Sequence, residues 1–356
     1  MCPAVKDASS DLDGFCEYFK TKLKQNREFI QKNVAAKATR SSYWHMVDLV
    51  YKQMDGIVEG FIANTLDNNE IIDTTEFDTE YGIQMINFIP DVWDYVTKFG
   101  EEKSRKSKKA AKRPSCSVLI KHLPQLRDLY VGHNTWHEYS AMGYRFLKKY
   151  KFNYHLLEES DEVIPGHTMT MSSYAGTVMS LDDFLSLSSG LMTTETSLNL
   201  YNQDLYTKLE SASQLFEPVR VLVANRLSRT GKQWTHLMSK FNGGTYNNQW
   251  MIVDYNKLGE DGSMEDGLLW VYEQLPGRTW SSDQTDLLRT QGYWISYNRP
   301  FYPEAYNMSG GRDMTEKHGD YFSYIQTSRA KVNTINTESF KFILLDYEKR
   351  ADQSCG

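Results

Sequence analysis

The chain has 356 residues, of which 40% are hydrophobic and 13% aromatic, enough apolar material for one large core or two ordinary ones. A net charge of -6 at pH 7 argues against a protein that binds nucleic acid through its overall field, so we expect no nucleic-acid partner. Since no apolar run reaches 18 residues, the sequence predicts no transmembrane segment.

The first hundred residues show the apolar spacing of helices. Patterns at 11–35 and 42–65 predict two amphipathic helices folded as a hairpin. A third helical pattern at 79–98 contains Pro90, which should kink or divide it. We therefore predict an N-terminal helical segment over 1–100. The opening residues have no apolar core of a secretory signal, which taken alone indicates the cytosol.

Residues 101–115 form a basic segment with seven Lys or Arg and no large apolar side chain, so it cannot bury itself. A solvated loop, a nuclear-localisation patch and a protease-accessible processing linker are all compatible with this composition.

From residue 116 onward the pattern changes to short apolar runs and alternations separated by turn residues. The predicted strands lie at 116–123, 127–133, 153–158, 167–174, 186–198, 249–254 and 267–275, and the predicted helices at 135–149, 213–228 and 231–241. This mixture indicates an α+β or α/β protein with sizeable sheets. We assign 116–356 to a core that forms one composite domain with 1–100.

The familiar motifs of serine hydrolases, P-loop proteins, kinases, zinc proteases and dinucleotide-binding proteins are absent from the sequence. The four cysteines are too few and too scattered for a disulfide scaffold or a structural zinc site, so we expect neither cofactor nor metal (Cys2, Cys16, Cys116, Cys355).

Cys116 directly follows the basic segment and opens the first convincing strand. If the bond between Ser115 and Cys116 were cut, the thiol would lie beside its own α-amine. An α-amine has a pKa of about 7.7–8.0 and can act as a general base near neutral pH. The alternative is a buried cysteine that fills the start of a core strand.

Other polar groups could complete such a site. His133 and Trp136 lie in the VGHNTW segment, although a capped helix with a core histidine would explain that segment equally well. Asn247 and Asn248 in NGGTYNNQW could present amide dipoles to an anion, or belong to an ordinary turn. Arg299 is a candidate partner for a carboxylate or phosphate, with a surface salt bridge as the alternative.

Taken together and in order, several segments resemble the phospholipase B-like family, which is related to the laminin-ancestor proteins and built on the N-terminal-nucleophile hydrolase fold. The resemblance runs from about residue 13 to 335. The segments that carry it are 116–121, 131–136, 174–177, 180–184, 188–191, 195–196, 242–250, 273–277, 297–300 and 307–310.

The resemblance implies a four-layer αββα sandwich, with terminal strands of the family missing from this chain, and a precursor cleaved immediately before Cys116. It implies that Cys116 is the nucleophile and its freed amine the base. His133 and Trp136 would occupy the positions of an Arg and an Asp in related acylases. Asn248 would contribute to the oxyanion hole, with Asn247 as its competitor, and Arg299 would line the site.

By the same resemblance, we expect a lysosomal or secreted protein that acts on a phospholipid or another acylated small molecule and forms a possible homodimer. The basic segment would then be a linker trimmed by proteases. Asn307 belongs to the one N-x-[ST] sequon, which matters only if the chain is exported.

Three hypotheses for function follow. The first is a hydrolase that removes acyl chains from phospholipids. The second keeps the same site but cleaves N-acyl or short peptide amides. The third is a catalytically inactive, truncated binding protein.

Overall fold

The computed structural model describes residues 14–67, 79–103, 115–124, 127–136, 139–209 and 212–317. These residues form helices and two antiparallel sheets, so the α+β prediction is confirmed. The predicted helices of the first hundred residues are also confirmed. They are α1 Phe15–Lys37, α2 Ser42–Asp67, α3 Thr79–Asn87 and α4 Ile89–Lys103.

Pro90 divides the third helical pattern, as the sequence predicts. The chain turns at Phe88, and Pro90 is the second residue of α4. The first turn of a helix has no internal partner for its N–H groups, so proline is tolerated there. Most of the predicted basic linker lies outside the described residues; α4 continues to Lys103 and the first strand begins at Ser115.

The strands form a three-stranded sheet of order β10-β1-β2 and a seven-stranded sheet that runs in sequence order from β3 to β9. The small sheet contains β1 Ser115–Leu123, β2 Asp128–Trp136 and β10 Tyr293–Ser296. The large sheet contains β3 Phe146–Lys151, β4 Thr168–Ser173, β5 Phe184–Leu187, β6 Leu191–Ser197, β7 Asn248–Asp254, β8 Leu269–Leu275 and β9 Arg278–Asp283.

The remaining helices are α5 Glu217–Leu227, α6 Gly231–Met238, α7 Thr285–Gln291 and α8 Pro303–Met308. The predictions of helices at 213–228 and 231–241 are confirmed with shorter bounds. The turn at Gly190, which has a φ of 83°, divides the predicted strand at 186–198 into β5 and β6.

Two predictions of local structure are wrong. The predicted helix at 135–149 is instead the end of β2, a 3-10 turn at Tyr139–Tyr144 and strand β3. There, pairing of β3 with β4 along the ladder from Phe146 to Lys151 overrides the helical spacing. The predicted strand at 153–158 contains only an isolated bridge between His155 and Val163.

The two faces of the large sheet pack against different layers. On β7, Trp250 and Ile252 join the cluster formed with the helices, which includes Trp234 of α6. Met251 and Val253 alternate with them and face the small sheet, in a cluster that contains Val118 and Ile120 of β1. The described residues therefore stack as helices, large sheet and small sheet, with an apolar cluster packed between the two sheets.

Asn87 connects α3 to the loop that follows β4. Its side chain donates to the Gly176 carbonyl at 3.0 Å and accepts from the Val178 backbone N–H at 2.8 Å. We expect Asn87→Ala to lower the free energy of unfolding by about 1–3 kcal/mol, because both backbone groups lose their partner. Asn33→Ala is the matched control, because Asn33 donates to a carbonyl within its own helix, and it should change stability by less than about 0.5 kcal/mol. Urea unfolding of both variants measures the difference. Equal losses of unfolding free energy in the two variants would contradict the role of Asn87 in joining α3 to this loop.

Candidate active site

Cys116 is the second residue of β1, and its side chain points toward the large sheet. In the antiparallel ladder with β2, Cys116 lies opposite Thr135, and Val118 lies opposite His133. Opposite residues share a face, as do residues two apart along a strand. Since Val118 belongs to the cluster between the sheets, Cys116 and His133 face the same way. The Cys116 side chain is 5% exposed and not in a disulfide.

Glu195 brings a third reactive group to this point. It lies on β6 of the large sheet, opposite the small sheet, and is fully buried. The Cys116 Sγ, a ring nitrogen of His133 and a carboxylate oxygen of Glu195 all lie within 4.8 Å of one another. We call these three residues the Cys116 trio. Each comes from a different strand, so the backbone ladders hold their positions.

The hydrogen bonds of His133 define its tautomer. Its Nε2 lies 3.1 Å from the Glu195 backbone carbonyl oxygen, which can only accept, so Nε2 carries the proton. Nδ1 therefore holds the lone pair, and the Thr135 hydroxyl is 3.4 Å from it. Burial lowers the pKa of His133 to about 4, against the opposing charge of Asp182. The imidazole is thus neutral at neutral pH.

The Cys116 thiol is protonated in this environment. Burial raises its pKa well above the ordinary value, and the nearby carboxylates of Glu195 and Asp183 add to the effect. A hydrogen bond from the Trp136 backbone acts in the opposite direction. Since the thiolate is the nucleophilic form, this cysteine needs a base before it can react.

Asp183 and Tyr246 complete the buried polar cluster around Glu195. The Tyr246 hydroxyl lies 2.6 Å from Asp183 Oδ2 and 3.2 Å from Glu195 Oε1. Burial raises the pKa of Asp183 to about 7, and burial followed by the charge of Asp183 raises the pKa of Glu195 well above its usual range. The two carboxyl groups therefore retain at least one proton at neutral pH.

Helix α4 positions the loop that carries Tyr246. Asp94 accepts a hydrogen bond from the Tyr246 backbone N–H at 2.8 Å, and Asp91 accepts one from the Thr245 hydroxyl. Tyr246 has a φ of 45°, in the left-handed region that costs a non-glycine residue energy. The N-terminal helices thus fix the backbone of the NGGTYNNQW segment beside the trio.

The predicted site residues Asn247 and Asn248 are both buried. The Asn247 amide donates to the Gly244 carbonyl at 2.8 Å, within its own loop. The Asn248 amide donates to Glu217 Oε1 at 3.4 Å. Their side-chain carbonyl oxygens have no hydrogen-bond partner among the described residues. Their donors are thus engaged with Gly244 and Glu217.

Trp136 and Arg299 are not placed in the Cys116 trio. Trp136 pairs with Ser115, so strand alternation directs its indole to the other face of the small sheet, where it is 55% exposed. Its backbone, rather than its ring, contacts the thiol. Arg299 is half-buried and its guanidinium lies 4.5 Å from the centre of the Tyr306 ring.

The sequence analysis did not single out Glu195 of the trio, nor Asp183 and Tyr246 beside it. Asp183, Glu195 and Tyr246 lie in segments that carry the family resemblance, at 180–184, 195–196 and 242–250, but their roles depend on contacts between distant strands. Asp182 beside them is fixed by Arg145 at 3.0 Å and by the Tyr174 hydroxyl at 2.9 Å. The pair of adjacent acids Asp182 and Asp183, directly before the mostly apolar strand β5, was the sequence signal that could have indicated a buried polar cluster.

Comparison with known proteins decides the family. The family model described as Phospholipase B matches residues 4–341. The chain belongs to the phospholipase B family. Its matches include "Putative phospholipase B-like 2" of Bos taurus, 36% identical over 90% of this chain and 53% of that protein. "Phospholipase B-like 1" of Bos taurus is 36% identical over 85% of this chain and 54% of that protein.

The family extends beyond vertebrates. "Phospholipase B-like protein B" of Dictyostelium discoideum is 35% identical over 86% of this chain and 53% of that protein. The chain thus spans about half the length of these phospholipase B relatives. In the part of the chain that the structure describes, none of the helices combines the length and apolarity needed to cross a bilayer.

Proposed function

We propose that this member of the phospholipase B family is an N-terminal-nucleophile hydrolase that removes acyl chains from phospholipids, with an αββα sandwich as its complete architecture. The observation that carries the proposal is the position of Cys116. It is the second residue of β1, shortly after the basic segment, and its buried sulfur lies with a His133 ring nitrogen and a Glu195 carboxylate oxygen in a group of atoms within 4.8 Å of one another.

Cleavage of the Ser115–Cys116 bond supplies the base that the thiol needs. The freed α-amine has an ordinary pKa of about 7.7–8.0 and lies on the same residue as the sulfur. It takes the thiol proton, and the thiolate attacks the acyl carbonyl carbon. Collapse of the tetrahedral intermediate gives a thioester and releases the alcohol, which receives the proton from the ammonium. Water then hydrolyses the thioester and restores the thiol.

The other groups have positioning roles in this proposal. His133 is held by its hydrogen bond to the Glu195 carbonyl and stays neutral beside the thiol. Asn248, or its neighbour Asn247, donates to the oxyanion after a change of partner in the substrate complex. Arg299 lines the outer part of the site in this proposal, whereas the Trp136 ring points to the other face of the small sheet and contributes only through its backbone.

Exposed apolar side chains favour a lipid substrate. Met142, Tyr144 and Leu147 are 62%, 75% and 76% exposed. They follow β2 along the chain, in the 3-10 turn and at the start of β3. Exposed apolar side chains grouped in this way are typical of a surface that meets an apolar ligand. A lysosomal or secreted location belongs to the same proposal, and Asn307 is exposed on α8 as an acceptor for a glycan.

Release of fatty acid tests the proposed function. Purified protein is incubated with labelled phosphatidylcholine and, in parallel, with a panel of N-acyl amides. We expect fatty-acid release from the phospholipid that is absent from the Cys116→Ala variant. Equal release by both proteins, or none by either, would contradict the proposal. Cleavage confined to the amides would replace the ester substrate with an amide at the same site.

A further inference from the structure

We propose that Cys116, His133 and Glu195 also form a binding site for a thiophilic divalent cation such as Zn²⁺, which holds the nucleophile inactive. The inhibitory part rests on the proposed function, whereas the binding part does not. A thiolate, an imidazole and a carboxylate are the three ligand types that Zn²⁺ takes from proteins.

The spacing of the trio fits one shared ion. Zn²⁺ lies about 2.0–2.3 Å from its ligands, which places tetrahedral ligand atoms roughly 3.3–3.8 Å apart. The three candidate atoms already lie within 4.8 Å of one another. Binding of a shared ion requires the side chains to move inward to the metal spacing, while β1, β2 and β6 hold the backbone.

His133 has the hydrogen bond of a metal ligand. A histidine that binds a metal through one nitrogen usually donates its other N–H to a carbonyl or carboxylate, which fixes the ring. Here Nε2–H donates to the Glu195 backbone carbonyl at 3.1 Å. The lone pair of Nδ1 points toward Thr135, the residue opposite Cys116 in the ladder. Nδ1 is thus the nitrogen with a lone pair available to a metal, on the side of the ring that faces the residue opposite Cys116.

Among the described residues, no Lys or Arg side chain forms an ion pair with Glu195 or Asp183. Glu195 Oε2 and Asp183 Oδ1 are buried and accept no hydrogen bond from any other group among the described residues, while the two carboxyl groups lie close enough to share a proton. Arg145 lies nearby but pairs with Asp182. The negative charges of the Cys116 thiolate and the Glu195 carboxylate would together balance the two positive charges of the cation. The cation would bind the Glu195 oxygen that accepts no other hydrogen bond.

The binding step balances without a redox partner. The thiol and the Glu195 carboxyl each lose a proton to solvent, and the sulfur lone pair forms the bond to the metal. A water molecule completes the tetrahedron in the uncut chain. After cleavage before Cys116, the α-amine replaces that water and closes a five-membered ring with the sulfur. The metal then occupies both the nucleophile and its base, so acyl transfer stops.

Cobalt provides a direct optical test. Co²⁺ is added to the full chain after removal of bound metal, and the thiolate-to-cobalt charge-transfer band is titrated; equilibrium dialysis with Zn²⁺ measures stoichiometry. We expect one equivalent per chain for the unmodified protein. Cys116→Ala should abolish the band, and Glu195→Gln should weaken binding more than about tenfold. Cys16→Ala removes a half-buried thiol on α1 and should leave the band unchanged.

The outcomes separate this site from the proposed function. A band that survives in Cys116→Ala, or binding unaffected by Glu195→Gln in a protein with unchanged circular dichroism, would overturn the metal site. A Cys116-dependent band in a protein that releases no fatty acid would support the metal site and contradict the function. Full fatty-acid release with the site occupied by Zn²⁺ would overturn the inhibitory role.

Discussion

Cys116→Ala should leave the chain uncut between residues 115 and 116 and reduce fatty-acid release by at least roughly 10⁴-fold, the scale seen when a covalent nucleophile is removed. Alanine has no atom that can attack the Ser115 carbonyl, and none that can accept the acyl group from a substrate. Intact mass spectrometry of the purified protein reads the first effect, and the phosphatidylcholine assay reads the second.

Two further variants make this result specific. Cys116→Ser keeps a nucleophilic atom at the same position, so we expect slow cleavage rather than none. Cys16→Ala removes the other described thiol and should yield the same two fragments as the unmodified protein. A single stable chain for the unmodified protein at neutral pH would contradict self-processing, and cleavage of Cys116→Ala at the same bond would assign the cut to an outside protease.

The order of the elements could be predicted from the sequence wherever one local pattern dominates. The three N-terminal helical patterns and the division at Pro90 are examples, because apolar spacing and proline geometry act within a few residues. Strand β3 could not be predicted, since its residues have helical spacing and become a strand only by pairing with β4. Such pairing depends on residues that are distant along the chain.

The same distinction applies to the site. Cys116 and His133 could be singled out as candidates because they lie in short segments with characteristic residues, and the register of β1 with β2 places them on one face. Glu195 could not be assigned a role, because its proximity to Cys116 arises from the stacking of two sheets. Trp136 shows the limit of carrying over a role by segment alone: strand alternation turns its ring away while its backbone remains near the thiol.

The protein should be more stable toward unfolding at about pH 5 than at pH 8. Burial raises the pKa of Asp91 to about 6 and that of Glu273 to about 7, and it raises that of Glu217 well above the usual range. A carboxyl whose pKa is higher in the folded state than in the unfolded state binds more protons when folded. Its stabilisation is therefore complete below the unfolded pKa and is lost as pH rises through the folded pKa.

Two histidines act in the opposite direction. Burial lowers the pKa of His45 and of His133, so their contribution to stability falls as the pH drops below the ordinary histidine value. The buried carboxyl groups outnumber them, and each pKa unit corresponds to about 1.4 kcal/mol. We therefore expect the melting temperature to rise as the pH falls from 8 to about 5.

Glu273→Gln isolates one contribution to this pH dependence. Glu273 is buried on β8, where it accepts hydrogen bonds from the Gln249 amide at 2.6 Å and from the Tyr302 backbone N–H at 3.3 Å. A neutral glutamine cannot titrate, so the difference in unfolding free energy between pH 5 and pH 8 should shrink by up to about 3 kcal/mol.

The change in unfolding free energy with pH, rather than the stability at one pH, is the measurement that matters for this variant, because glutamine also changes the local hydrogen bonds. Glu304→Gln serves as the control, since Glu304 is exposed and pairs with Arg278 at the surface, where an ion pair contributes little. An unchanged slope in Glu273→Gln, or a melting temperature that falls steadily from pH 8 to pH 5 in the unmodified protein, would show that these carboxyl groups are ionised in the folded protein.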